Sequence, residues 1–202
     1  MMKRTQDRPL PSGRVSTDQA ILWSVFLGVT SLFIFISVFN LTTGLISLLS
    51  LVLYGFVYTP LKRVGPIAVF VGAFPGAFPP MIGWVAATNT FGLEPGILFA
   101  IQFFWQFPHF WAIAWVLDED YKRAGFKLLP AKGLKNADTA LQMMIYTLFL
   151  LPVGWLPYEL GMTGINSAFI ATIFGVLFLA QTLHLMRKCT DQTARQLMFG
   201  SF

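Results

Sequence analysis

Apolar positions along the chain fall into long, nearly uncharged blocks, at about 18–39, 41–61, 67–88, 96–117, 138–159 and 165–186. Each is close to the roughly 20 residues that a helix needs to cross the hydrocarbon core of a bilayer. The pattern therefore predicts an all-α fold, a polytopic transmembrane helix bundle with six spans. Polar positions concentrate between the blocks: Asn40, 62–66, 88–95, a long loop at 118–137, 160–164, and a tail from Arg187. The first seventeen residues are polar and basic, with Pro9, Pro11 and Gly13, and read as a loop with turns and not as a signal peptide.

Composition agrees. The chain is 55% hydrophobic and 11% charged, against about 25% charged in a soluble domain, so this is an integral membrane protein. Cys189 stands alone, which excludes an intramolecular disulfide, and no Cys/His cluster suggests zinc or covalently attached haem. Counted on alternating sides of the spans, the four segments at one end hold four, two, five and three Lys or Arg. These are all fourteen in the chain. The positive-inside rule puts that end in the cytoplasm, with both termini of the chain there. Topology thus accounts for the net charge of +5, and no nucleic-acid partner is needed.

The third block carries Gly72 and Gly76 in a GxxxG spacing, interrupted by Pro75, Pro79 and Pro80. It reads either as close helix packing with a tolerated kink or as a broken helix lining a cavity. The fourth block ends in Asp118, Glu119, Asp120, Tyr121, Lys122 and Arg123. If its helix continues to Asp120, then Gln102, Gln106, His109, Ile113, Val116 and Asp120 form one stripe, with His109 and Asp120 about 20° apart. His109 would lie about 12–16 Å inside the boundary, as a hydrogen-bonded core histidine or as a ligand. Carboxylates are mildly unfavourable at a helix C-terminus, so on this reading helix stability does not explain Asp118 and Asp120.

No span interior carries Asp, Glu, Lys or Arg, which weakens a proton- or ion-coupled transporter. The ionic groups gather at the basic end: Lys3, Arg4 and Arg8; Lys62 and Arg63; Asp118, Asp120, Lys122 and Arg123. Carboxylates beside cations above an apolar bundle suit a diphosphate carried on a hydrocarbon tail. Mg²⁺ is commonly held by one or two carboxylates plus phosphate oxygens, and cations neutralise charge growing on a leaving diphosphate. Each feature also has a plainer reading: basic loops as the topology signal, Glu119 as a solvated carboxylate, His184 as structural. Tyr54 and Tyr58, one turn apart, either line a pocket or sit as ordinary interfacial tyrosines.

The segments MKRTQDRPLPSGRVS, YTPLKR, PGAFPPMIGW, WQFPHFWAIAW and DYKRAGFKLLP, in that order, resemble the UbiA-like membrane prenyltransferases over nearly the whole chain. PHFW with DYKRAG is similar to the haem-modifying branch more than to the quinone enzymes. The resemblance implies a nine-helix bundle with two aspartate-rich motifs. Residues 1–202 would then be a single, partial transmembrane domain holding the third to eighth helices. The first two helices with their motif, and the last helix, would be missing, and the chain alone would be inactive.

The implied activity is transfer of a farnesyl group from farnesyl diphosphate to a vinyl group of haem b, with Mg²⁺ as cofactor and haem as substrate. The resemblance makes Asp118 and Asp120 metal ligands, Asp120 matching the pattern better. Lys62 and Arg63 join them in catalysis. Arg4, Arg8, Tyr54, Tyr58, Gln106, Lys122 and Arg123 become substrate contacts, and His109 a haem contact or axial ligand. It further suggests the inner (plasma) membrane, with haem A synthase or terminal-oxidase assembly as candidate partners. The alternatives are a prenyltransferase acting on a quinone or chlorophyll precursor and a non-catalytic haem-handling membrane protein.

Overall fold

The computed structural model describes residues 5–202; Lys3 and Arg4 lie outside the described residues. Helices α1 (Thr17–Ile34), α2 (Leu41–Val52), α3 (Ile67–Thr88), α4 (Leu93–Val116), α6 (Ala137–Val153) and α7 (Ile165–Lys188) supply six candidate spans. Between them lies the short α5 (Asp118–Arg123), and α8 (Asp191–Gly200) follows. Large apolar side chains such as Leu22, Phe33, Phe56 and Phe174 are more than half exposed, a surface that only lipid would tolerate. The chain is a multi-pass membrane protein.

Local chemistry sets the ends of these helices. Ser16 opens α1 with a capping box: its hydroxyl accepts from Gln19 N (3.2 Å) while its own N–H donates to Gln19 Oε1 (3.1 Å). Asn40 caps α2, and its Nδ2 also donates to the Val85 carbonyl at 3.0 Å, tying this end of α2 to α3. Asn136 caps α6 and Thr190 caps α8. The fourth span starts at Leu93 and not at 96, because Pro95 in the first turn needs no N–H donor there.

The helices pack as a chain of neighbours: α1 on α2, α2 on α3, α3 on α4, α4 on α6, α6 on α7, with α8 inserted against α4 and α7. Helix α4 is therefore central. Its buried Phe107, Trp111 and Trp115 join Ala140 and Met143 of α6, Leu185 of α7 and Leu197 of α8 in one core. In a bilayer such contacts stabilise by tight packing and interhelical hydrogen bonds, since lipid removes the hydrophobic drive between helices.

The structure departs from the sequence pattern in two places that shape the site. The tail from Arg187 contains a helix, α8, which runs back alongside α4 so that Ser201 accepts a 2.9 Å hydrogen bond from Trp105 Nε1 through its carbonyl. And α4 does not reach Asp120. It ends at Val116, Leu117 leaves helical geometry (φ −102°, ψ 17°), and a new helix begins at Asp118.

Candidate active site

A cavity of about 940 Å³ lies between α1, α2, α3 and α4. Its α3 wall is built from small residues. Gly72 faces the Tyr58 ring so closely that a Cβ would come within 2.6 Å of it, and a Cβ on Gly76 would overlap the Gln106 amide. The Gln106 Nε2 donates to the carbonyls of Ala73 (3.1 Å) and Gln102 (3.1 Å). Helix α3 runs unbroken through its prolines and still lines the cavity with Gly72, Pro75 and Gly76, so the two sequence readings of this block are both half right. Pro79 has no N–H for the Pro75 carbonyl, and Ser50 of α2 donates its hydroxyl to that oxygen at 3.4 Å.

The opposite wall comes from Ser24 and Ser31 of α1, Phe35 just past its end, and Ser47, Ser50 and Tyr54 on the α2 side. The serine hydroxyls of Ser24, Ser31 and Ser47 donate to carbonyls of their own helices, so toward the cavity they offer only acceptor lone pairs. None of these serines stood out in the sequence. The available signal was small polar residues recurring every three or four positions through otherwise apolar runs.

Toward the basic end, α2 widens into a π-helical turn, Leu53–Tyr58. The Tyr54 carbonyl there accepts from the Thr59 hydroxyl at 2.8 Å, next to Pro60, which has no N–H to give. This turn brings Tyr54 and Tyr58 together, ring centroids 5.3 Å apart, with Lys62 Nζ 4.2 Å from the Tyr58 centroid. Both tyrosines line the cavity. Burial lowers the Lys62 pKa from the ordinary lysine value. Arg63 and Arg8 are exposed, and Arg4 lies outside the described residues.

From above, Tyr121 of α5 and Leu128 also line the cavity, so the charged segment sits at its mouth. The break at Leu117 changes the expected electrostatics. Asp118, Glu119 and Asp120 form the first turn of a new helix, where carboxylates are favoured by the helix dipole, with Lys122 and Arg123 in its last turn. The break also changes the phase. Counting from Tyr121 on α5, Asp118 is about 60° away and Asp120 about 100°, so Asp118 shares more of the cavity-facing side. Its side chain is 13% exposed and pairs with Lys122 (2.6 Å); that of Asp120 is 22% exposed and lies 3.5 Å from Arg123. Glu119 is solvated, as expected, at 88%.

The stripe joining His109 to this site does not form. Gln106, Phe110 and Ile113 line the cavity, while His109 faces α8. His109 is buried, its Nδ1 is 2.7 Å from Ser201 Oγ, and its ring stacks on Trp105 with centroids 4.7 Å apart. Gln106 and His109 point to different neighbours because helix α8 occupies one flank of α4 and α3 the other. His184 is exposed.

Among the described residues no group of three or more His, Cys, Asp or Glu converges. The donors at the cavity mouth are two partly covered carboxylates with two cations on the same helix. Both carboxylates are of the kind Mg²⁺ takes, but two positions apart on one helix they point about 160° apart, so the segment offers the ion one carboxylate at a time, with phosphate oxygens and water left to complete the octahedron.

A model of the UbiA prenyltransferase family matches residues 1–202. Among curated relatives, a protein named Protoheme IX farnesyltransferase from Cytophaga hutchinsonii is 58% identical over 202 residues, covering 100% of this chain and 71% of that protein. One of the same name from Flavobacterium psychrophilum is 48% identical over 206 residues, covering 100% of this chain and 68% of that protein. A solved structure from work on a digeranylgeranylglyceryl phosphate synthase superposes with a TM-score of 0.71 at 20% identity, over 98% of this chain and 70% of that one. That last likeness concerns the fold alone.

Proposed function

The chain belongs to the UbiA prenyltransferase family, and from that premise we propose that it transfers a farnesyl group from farnesyl diphosphate to a vinyl group of haem b, giving haem O and diphosphate. The observation that carries the choice of substrates is the 58% identity across the whole chain to a relative with that name. The geometry supports the reaction class: a long cavity within the membrane, flanked by tyrosines, opens beneath a segment holding two carboxylates and two cations.

In this reading the farnesyl chain occupies the cavity between α3 and the serine-lined wall, with its diphosphate at the mouth. Of the expected pair, Asp118, nearer the cavity-facing side, would hold Mg²⁺ together with phosphate oxygens and water, and the ion would supply charge neutralisation for the departing diphosphate. Lys62, Arg63, Arg8, Lys122 and Arg123 add positive charge there, Lys62 from the most sheltered position. Breaking the carbon–oxygen bond leaves an allylic cation. The cavity's apolar and aromatic lining keeps stray water from it. The terminal carbon of the haem vinyl group attacks the cation, the positive charge passes to the vinyl carbon next to the ring, and water adds there with release of a proton to give the hydroxyethylfarnesyl side chain. His109 is not used for haem in this reading, because it is buried against Ser201, Trp105 and Phe202 on the flank of α4 away from the cavity that would hold the farnesyl chain.

The fourteen-to-zero distribution of basic residues supports an arrangement in the inner membrane with the charged mouth cytoplasmic. A membrane-impermeant thiol reagent reaching a cysteine at position 127 from outside would reverse it. Residues 1–202 act in this reading as part of a single transmembrane domain, with haem A synthase or a terminal oxidase assembly downstream. The test is diphosphate release from farnesyl diphosphate by the membrane-embedded protein, with and without haem b. Release that depends on haem, with haem O formed, is expected in this reading, where the resemblance implied that residues 1–202 alone are inactive. Release coupled instead to a quinone precursor would move the chain to a sibling activity.

A further inference from the structure

We propose that Asp191 is a positioning residue: one oxygen of its carboxylate fastens both ends of the segment 117–136 to the bundle and so holds Asp118 and Tyr121 over the cavity mouth. The proposal rests on reading that segment as the diphosphate-binding one. Asp191 Oδ1 accepts from Trp115 Nε1 at 3.1 Å and from Lys135 Nζ at 2.7 Å. Trp115 lies three residues before Asp118 in the last turn of α4. Lys135 immediately precedes Asn136, the cap of α6. A single atom on α8 therefore meets a donor at each end of the charged segment.

Neither contact is explained by the needs of α8 itself. The start of that helix is already closed by the Thr190–Thr193 capping box, so Asp191 is free to reach across elements. Trp115 is fully buried, and a buried indole N–H left without an acceptor costs free energy. The Lys135 pair alone would be worth little, as a partly exposed ion pair. Sharing the oxygen with a buried donor changes its role, because the carboxylate cannot follow Lys135 outward without abandoning Trp115. The later part of the segment has its own tie, where the Thr139 hydroxyl donates to the Leu134 carbonyl at 2.7 Å, with the Pro130 carbonyl 3.3 Å away. What Asp191 adds is registration of the segment against α4 and α8, and thus against the cavity.

Asp191→Asn keeps an acceptor for Trp115 and removes the charge facing Lys135. Lys135→Met removes the same link from the other side. In the membrane-embedded protein each should raise KM for farnesyl diphosphate roughly tenfold, the scale seen when supports of a binding group are removed. Expected alongside are kcat within about twofold, an unchanged Tm, and a double variant no worse than either single one. Trypsin should cut faster after Lys122, Arg123 and Lys127 in all three. Additive effects of the two substitutions, or a lowered Tm with KM unmoved, would reduce the contact to packing and overturn the proposal. Should the unsubstituted protein release no diphosphate, the functional reading fails, and the tryptic rates still judge the clamp: faster cutting in both single variants upholds it, and unchanged cutting overturns it.

Discussion

The two walls of the cavity are built in opposite ways. The inner wall, α3 and α4, buries eight and ten residues respectively, with glycine against a tyrosine ring and an amide at van der Waals limits. In the outer wall α1 buries none and α2 only Thr43, Gly44, Ile46 and Ser47. Mean hydropathy runs the other way, 2.3 for the first span and 1.3 for the fourth. The most apolar helix is the least packed, as expected where lipid is as good a solvent as protein for leucine and phenylalanine. Close contact needs small residues and polar groups, and α3 and α4 have them. A fixed inner wall facing a loosely held outer one suits a pocket that must fix a reacting end precisely and accommodate a flexible chain.

The contrast is sharpest at two glycines. Gly76→Ala places a methyl group on the Gln106 amide, whereas Gly28→Ala meets only Leu51 Cδ1 at an ordinary 3.5 Å. Overpacking of the first kind costs about 1–3 kcal/mol, so Gly76→Ala should lower Tm and lose most turnover while Gly28→Ala changes neither. Equal effects would show that the walls do not differ in rigidity. A smaller effect is expected from filling the cavity on its loose side. Ser31→Phe should leave Tm unchanged and reduce turnover with farnesyl diphosphate by about tenfold, and with the shorter geranyl diphosphate by less. Identical losses with both chains would place the tail elsewhere.

The smallest effect concerns pH. Lys62 ends the outer wall, and burial lowers its pKa from 10.5. Its charge is present below the folded pKa and is lost as pH rises through it. Turnover should therefore decline on the alkaline side before a free lysine would titrate. Lys62→Arg should move that decline upward, because guanidinium keeps its proton. An alkaline limb that does not move would remove Lys62 from the charge-neutralising set.

Much of this was legible in the chain. Uninterrupted apolar blocks define the six spans to within a few residues, and the crowding of ionic groups at one end marks the mouth. Gly72 and Gly76 announced close approach, but not that Tyr58 and Gln106 are what approaches. Helical phase failed at Leu117, where the sequence does carry a sign: an acidic triplet followed by Lys122 and Arg123 is the charge order of a short helix of its own. Gln106 and His109 stand only about 60° apart on α4, an interval too small to separate by periodicity alone. What separates them is α8, whose polar first turns masked a helix inside what read as a tail.

Asn40 carries a consequence for the order of assembly. Its side chain is the cross-link between the α1–α2 turn and α3, and its partner is the Val85 carbonyl, 45 residues further on. As the chain is synthesised from its N-terminus, α1 and α2 enter the bilayer with that amide unmatched. They stay there on their own lipid solubility, with few contacts to each other. The pair can dock only once α3 has been threaded to its far end. The outer wall is thus made before the inner one and fastened to it afterwards, and the cavity comes into being at that docking step.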